Sequence, residues 1–186
     1  MKRTITSVAA LALCAGLVWA AARVQDGPQM PKPQKEHEWL GQLVGNWEST
    51  SKFRMAGNQD WMESKGTETN TMLGGFWLVS EMKSEMFGQP WKGLGTTGYD
   101  PYKKKYVSTW VDSMMPCLST GEGSLDASGK IMTVTISSTD CETGKPCTMR
   151  MTQEIKDKDT TAWSMHMTGK DGKEFECMKG ESKRKK

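Results

Sequence analysis

Apolar and polar residues alternate along most of the chain beyond residue 45. In the first such stretch Trp47 and Phe53 fall on one side, while Glu48 and Lys52 fall on the other. A period of two is typical of a β-strand with one solvated face. The pattern recurs and predicts ten strands, at residues 46–55, 61–72, 76–87, 91–99, 104–112, 117–125, 130–138, 147–156, 160–168 and 173–182.

Short turn sequences separate these segments, for example Gly74-Gly75 and the run at residues 126–129. Short connections make consecutive strands antiparallel neighbours. Closing so long a sheet on itself removes its exposed edges, and a barrel of more than eight strands encloses a cavity. The sequence therefore predicts an all-β fold, an antiparallel up-and-down barrel, with a β-sandwich as the alternative architecture.

A short amphipathic segment at residues 36–44 precedes the first strand, and its apolar positions share one helical stripe: Trp39, Leu40, Leu43 and Val44. So short a helix is not stable alone, and we expect it to pack as a lid on one end of the barrel. Residues 23–35 contain three prolines and little to bury, which predicts a disordered linker. The barrel then occupies residues 36–184 as one domain.

The first 22 residues have the pattern of an export signal. Lys2 and Arg3 precede an uncharged run that ends in Ala20-Ala21-Ala22. We expect cleavage after residue 22 and a mature protein in the periplasm or outside the cell. The alternative is that the uncleaved run anchors the protein in a membrane, since 18 or more apolar residues can span a bilayer.

The net charge argues against a nucleic-acid partner. Removing Lys2 and Arg3 lowers the formal charge from +3 to +1, and four of the remaining cations lie in the terminal run 183–186. The folded body therefore lacks the basic surface that nucleic-acid binding needs.

The segment Gly45-Asn46-Trp47, placed after a short helix, resembles the G-x-W start of the lipocalin and calycin barrels. The resemblance implies that Trp47 closes the barrel floor and that Arg184 packs over it. Four further segments resemble a bacterial family of domains of unknown function, number 1579, at residues 73–77, 98–101, 104–110 and 122–126. This likeness covers residues 36–184 and implies a barrel, but it brings no activity with it.

Methionine is unusually frequent, with 15 in the chain. The period of two puts many of these side chains on the predicted inner face. Thioethers fill irregular gaps and also suit adaptable apolar pockets, so a packed core and a ligand cavity both remain open. We expect binding of a small apolar ligand, and the predicted lining residues are Phe53, Leu78, Met82, Trp110, Met149, Met151 and Met165.

Metal and haem sites are less favoured by the sequence. Thioethers such as Met149 and Met151 suit Cu(I), but Met165 points away from His166 on a strand. The mature chain has one other histidine, His37, in the lid segment, and neither histidine is placed as an axial haem ligand. We therefore predict no metal and no cofactor.

No familiar catalytic motif is present. Residues 93–98 satisfy G-x-G-x-x-G, but Pro101 follows too closely for the helix that a nucleotide site requires. Five carboxylates could meet across strands without any two being singled out: Glu63, Glu68, Glu81, Asp112 and Glu122. An enzyme on an apolar substrate and a non-binding structural module are the alternatives to a binding protein.

Four cysteines follow the signal, in a compartment that permits disulfides. Cys141 and Cys147 flank a five-residue loop, and we expect a disulfide between them. Pairing of Cys117 with either one is the alternative, and Cys177 is expected to be reduced and buried.

Overall fold

The computed structural model describes residues 30–186 except 142 and 170. Residues 32–186 form one compact unit. The export signal and most of the linker predicted at residues 23–35 lie outside the described residues. In the described part of the chain, no helix is both long enough and apolar enough to cross a bilayer.

Ten antiparallel strands close into one barrel, which confirms the predicted fold and excludes the sandwich. Each strand pairs with those before and after it, and the last strand pairs with the first. The predicted strand ends agree with the observed ends to within two residues. The strands are β1 Gly45–Phe53, β2 Met62–Leu73, β3 Trp77–Met86, β4 Gln89–Asp100, β5 Lys105–Asp112, β6 Ser119–Leu125, β7 Ile131–Thr139, β8 Pro146–Asp157, β9 Thr160–Thr168 and β10 Glu174–Arg184.

One helix, α1 at Lys35–Gly41, lies across the end of the barrel where β1 begins. The Nε1 of Trp39 donates a hydrogen bond to the Gly129 carbonyl at 3.0 Å, and the Tyr106 hydroxyl donates to the Glu36 carbonyl at 2.9 Å. These bonds fix the helix to the turn between β6 and β7 and to β5. The helix ends earlier than the sequence predicts, which leaves Val44 exposed.

The packed core fills the barrel end beneath α1. Its members come from α1, from the segment that follows it and from β3, β5 and β7: Trp39, Leu40, Leu43, Leu78, Tyr106, Met132 and Val134. The apolar side of α1 packs here against large inward side chains of the strands. We call this the closed end of the barrel.

Trp47 and Arg184 stand opposite each other where β1 pairs with β10. Trp47 is 2% exposed, and its Nε1 donates to the Leu43 carbonyl at 2.9 Å. The guanidinium of Arg184 lies over the indole ring and donates to the carbonyls of Val44 and Gln42. The structure thus contains the contact that the lipocalin resemblance implies.

Candidate functional site

The strand register determines which side chains face the barrel interior. All seven predicted lining residues occupy inward positions, on the same face as the buried Trp47, Tyr106 and Val134. Leu78 differs from the other six, because it belongs to the packed core at the closed end. Phe53, which is 5% exposed, lies at the far end of β1.

Beyond the packed core the interior is accessible to solvent. The side chains of Met82, Trp110 and Met151 face inward, and each of their strands is hydrogen-bonded to a neighbour on both sides. Each of the three is nevertheless only half-buried. Solvent can reach such positions only through an end of the barrel, and α1 covers the closed end. We call this solvent-accessible part of the interior, away from α1, the cup, and the end opposite α1 the open end.

One wall of this cup is built of thioethers. Met149 lies opposite Met167, and Met151 lies opposite Met165, where β8 pairs with β9. Met165 also lies opposite Met178 on β10. Directly opposed residues bring their Cβ atoms to about 4.5–5.5 Å, so the five side chains form a continuous apolar surface, here called the methionine wall.

The adjacent part of the interior, on β1, β2, β3 and β10, carries small hydroxyl side chains. Ser64 and Ser84 join their hydroxyls at 2.5 Å, and the Ser51 hydroxyl donates to the Ser64 carbonyl at 3.4 Å. Ser49 and Ser182 stand opposite each other and are almost fully buried. The interior thus has a polar part, here called the serine wall, beside the methionine wall.

A carboxyl group lies within the serine wall. The Oε1 of Glu68 accepts a hydrogen bond from Nδ2 of Asn70 at 2.7 Å. The same Nδ2 donates to the Leu43 carbonyl at 3.1 Å. Burial raises the pKa of the Glu68 carboxyl, and the bond from Asn70 offsets part of that effect.

Asn70 has an unpaired acceptor. Its side chain is 3% exposed, and its Oδ1 has no hydrogen-bond partner among the described residues. Leaving a buried acceptor unpaired costs about 1–3 kcal/mol. The Glu68–Asn70 pair is therefore a polar site with acceptor capacity to spare.

The other carboxylates considered from the sequence have structural partners or face solvent. Glu63 pairs with Lys52 at 2.8 Å, and Glu122 pairs with Lys103 at 2.6 Å, both on the outer surface. Asp112 faces inward at the open end, where it accepts hydrogen bonds from the backbone of Met114 and Met115. Glu81 is exposed on the outer face. Glu68 alone of the five combines an inward position with a raised pKa and no bond to a cation in the described chain.

Apolar side chains surround the open end. Phe87 contacts Phe53 edge to face, with ring centroids 5.6 Å apart. It occupies the two-residue turn between β3 and β4 with a φ of 53°, a left-handed conformation that disfavours bulky residues. The other exposed members lie in the loops after β1 and β5, and the set, here called the apolar rim, is Met55, Phe87, Met114, Met115 and Leu118.

The disulfide expected between Cys141 and Cys147 stays a prediction, and the four described cysteines are separate thiols in this structure. Cys147 lies on β8 opposite Ser138 and faces inward, whereas Cys141 lies in the exposed loop beyond β7. Cys141 instead contacts the thiol of Cys117, and burial with this contact raises its pKa. Closeness in sequence did not decide the neighbour, because the strand fixes the direction of Cys147. Cys177 is buried, as expected.

The two histidines lie apart, with His37 of α1 buried against Phe76 and Tyr99 and His166 on the outer face of the barrel. His37 accepts a hydrogen bond at Nδ1 from the backbone of Gln34 at 2.9 Å, which caps α1. His166 lies on the outer face of β9, opposite Arg150 and Glu176. In the chain as described, no three His, Cys, Asp or Glu side chains are grouped to hold a metal ion.

Comparison with known proteins identifies the fold and a family match. Residues 32–184 match the family model described as "Protein of unknown function (DUF1579)". No curated protein matches. The crystal structure of Rv2717c from M. tuberculosis aligns with a TM-score of 0.64 and 13% identity, over 83% of this chain and all of the other. The S-type phycobiliprotein lyase CPES from Guillardia theta aligns with a TM-score of 0.55 and 12% identity, over 84% and 99%. At these identities the likeness shows a shared barrel fold.

Proposed function

This chain belongs to the DUF1579 family of proteins of unknown function, and we propose that it binds a small, mostly apolar molecule inside its barrel. The molecule enters past the apolar rim and lies against the methionine wall. We also propose that the protein is exported and acts as a carrier outside the cytoplasm, which the N-terminal sequence pattern supports.

The observation that carries the proposal is the half-burial of apolar side chains above the core. Protein interiors are normally close-packed, so inward thioethers and an indole that solvent can reach are unfavourable. Each Å² of apolar surface that a ligand removes from water contributes about 25 cal/mol to binding. Met82, Trp110 and Met151 offer such surface in one concave site, which is the usual form of a small-molecule pocket.

The apolar rim supports the same function. Phe87 is 62% exposed and Leu118 is 58% exposed, and both lie at the open end of the barrel. Exposed apolar groups beside a pocket lower the cost of moving an apolar molecule from water into the cup. The same fold occurs in a phycobiliprotein lyase, so this architecture is not confined to structural proteins.

Titration with N-phenyl-1-naphthylamine, an uncharged apolar fluorophore, tests the proposal. We expect saturable fluorescence enhancement with the wild-type protein. Met151→Trp adds bulk to the cup and should weaken binding at least about tenfold. The matched control is Thr133→Trp, which puts the same indole on the exposed outer face of β7 and should leave binding unchanged. Absence of enhancement with the folded wild-type protein would refute the proposal.

The strand register also favours a second candidate, Cu(I) binding by the methionine wall. Thioethers select Cu(I), and Met151, Met165 and Met178 stand side by side on three neighbouring strands. Competition with bicinchoninate under reducing conditions tests it. Tight binding that the change of these three methionines to leucine abolishes would establish the copper function, and binding no tighter than that of the leucine variant would exclude it.

A further inference from the structure

Glu68 lies in the cup without a cation to neutralise it. Its neighbours in the register are Trp47 on β1 and Met82 on β3, and neither carries a charge. Beyond Trp47 stands Arg184, whose guanidinium is committed to backbone carbonyls at the barrel floor. Within residues 30–186, apart from 142 and 170, no ion pair involves Glu68.

The orientation of the Asn70 amide is fixed by its two acceptors. Its Nδ2 donates to the Leu43 carbonyl and to Glu68, so turning the amide over would set its oxygen against two other oxygens. Oδ1 is therefore the atom left without a donor. Oε2 of Glu68 likewise receives no hydrogen bond from a described residue.

Two acceptor oxygens without a donor, one of them on a carboxyl group, thus belong to two hydrogen-bonded residues of the serine wall near the closed end. What they lack is a donor, and the chemistry that serves both is a nitrogen with several N–H bonds and a positive charge. A ligand carboxylate or phosphate would meet Glu68 with no nearby cation, which is repulsive.

We propose that the molecule bound in the barrel carries a protonated amine, which donates to Glu68 and to Oδ1 of Asn70 while its apolar body lies along the methionine wall. This inference rests on the proposed binding function and names its substrate class. A buried ion pair roughly balances its desolvation cost, so the pair provides discrimination between head groups more than affinity.

Displacement of N-phenyl-1-naphthylamine from the full-length protein tests the head group. The competitors are decylamine, decan-1-ol and decanoate, which share one alkyl chain and differ in the head. With wild-type protein we expect decylamine to displace the fluorophore at a concentration at least about tenfold below that of either competitor. Equal displacement by all three, or a preference for decanol or decanoate, would overturn the inference.

Two variants locate the effect. Glu68→Gln keeps an acceptor for Asn70 and removes the charge, so it should lose the preference for decylamine over decan-1-ol and decanoate, whatever its own affinity for the fluorophore. Glu63→Gln removes the same charge from the outer face of the same strand, where it pairs with Lys52, and should keep the preference. A preference that survives Glu68→Gln would overturn the inference.

A third variant provides the test if Glu68→Gln does not fold. Met82→Lys places a cation beside Glu68 in the strand register, and should abolish the preference by occupying the carboxylate. A retained preference would count against the inference. If the wild-type protein takes up no fluorophore at all, the binding function itself fails, which distinguishes that result from uptake without discrimination.

Discussion

The guanidinium carbon of Arg184 lies 4.1 Å from the centroid of the Trp47 ring. Nε of Arg184 donates to the Lys158 carbonyl at 2.9 Å, and Nη2 donates to the Gln42 carbonyl at the same distance. One side chain on the last strand therefore ties together the indole on the first strand, the segment after α1 and the turn between β8 and β9. This cluster joins the first and last strands at the closed end of the barrel.

Trp47→Ala should destabilise the protein by about 3–5 kcal/mol, because it deletes a large buried aromatic and leaves a cavity. Chemical denaturation followed by circular dichroism measures the free energy of unfolding. Lys52→Ala, on the outer face of the same strand, is the control and should change stability by less than about 0.5 kcal/mol. Equal effects of the two substitutions would contradict the assigned role of Trp47.

Glu68→Gln should stabilise the protein at neutral pH. Burial raises the pKa of Glu68 above its ordinary value of 4.5, so the folded state binds its proton more tightly than the unfolded state. Ionisation of this carboxyl therefore disfavours folding as the pH rises above 4.5, and the penalty reaches its full size above the folded pKa. Melting temperatures measured from pH 4 to pH 8 should show a gain for the variant that grows with pH. A gain independent of pH would show that ionisation is not its cause.

Changing Met82, Met149 and Met165 together to leucine should separate a pocket from a packed core. Volume-conserving changes in a ligand cup cost little stability, while uptake of an apolar fluorophore changes. Unfolding and fluorophore titrations on the same samples provide the two measurements. A loss of several kcal/mol, together with no uptake by the wild-type protein, would mean that the interior is close-packed.

Phe87→Asn should weaken binding without unfolding the protein. Asparagine accepts the left-handed conformation before Gly88, which relieves about 1 kcal/mol of strain, while the lost contact with Phe53 costs about 0.5–1.5 kcal/mol. The stability should therefore stay within about 1 kcal/mol of wild type. Affinity for N-phenyl-1-naphthylamine should fall about threefold or more if the rim contacts the ligand. Unchanged affinity would show that it does not.

N-terminal sequencing of the protein from its native cell envelope tests the export proposal. The A-x-A pattern of Ala20 and Ala22 predicts a mature chain that begins at Arg23. Recovery of a chain that still begins at residue 1 or 2 would refute cleavage and favour a retained anchor.

The sequence predicted the strands well because the period of two is a local property. It placed Leu78 and Met82 on one face, and both do face inward. It did not show that Leu78 lies in the packed core while Met82 lies in the open cup. Height along the barrel depends on the stagger between strands and on where α1 packs, and neither is encoded in one strand alone.

The same limit applies to the candidate site. Glu68 was one of five carboxylates with similar local sequence, and only the pairing of β2 with β1 brings it beside Trp47 and toward the lid. The sequence analysis did not identify its partner Asn70. What marks Asn70 is a buried amide oxygen without a hydrogen bond, which is a property of the folded structure and leaves no sequence motif. The neighbours of the cysteines depend on the fold in the same way, since a strand sets the direction of Cys147 whatever its distance from Cys141 along the chain.

The pairing of β1 with β10 has a consequence for the order of folding. Arg184 donates to a carbonyl 140 positions earlier in the chain, and no shorter segment of the chain can close the cylinder. Contacts between such distant parts form late and slowly, because the intervening chain must first be ordered. While β10 is still inside the ribosome, β1 therefore has no partner on one side, and the barrel closes only after this last strand has emerged.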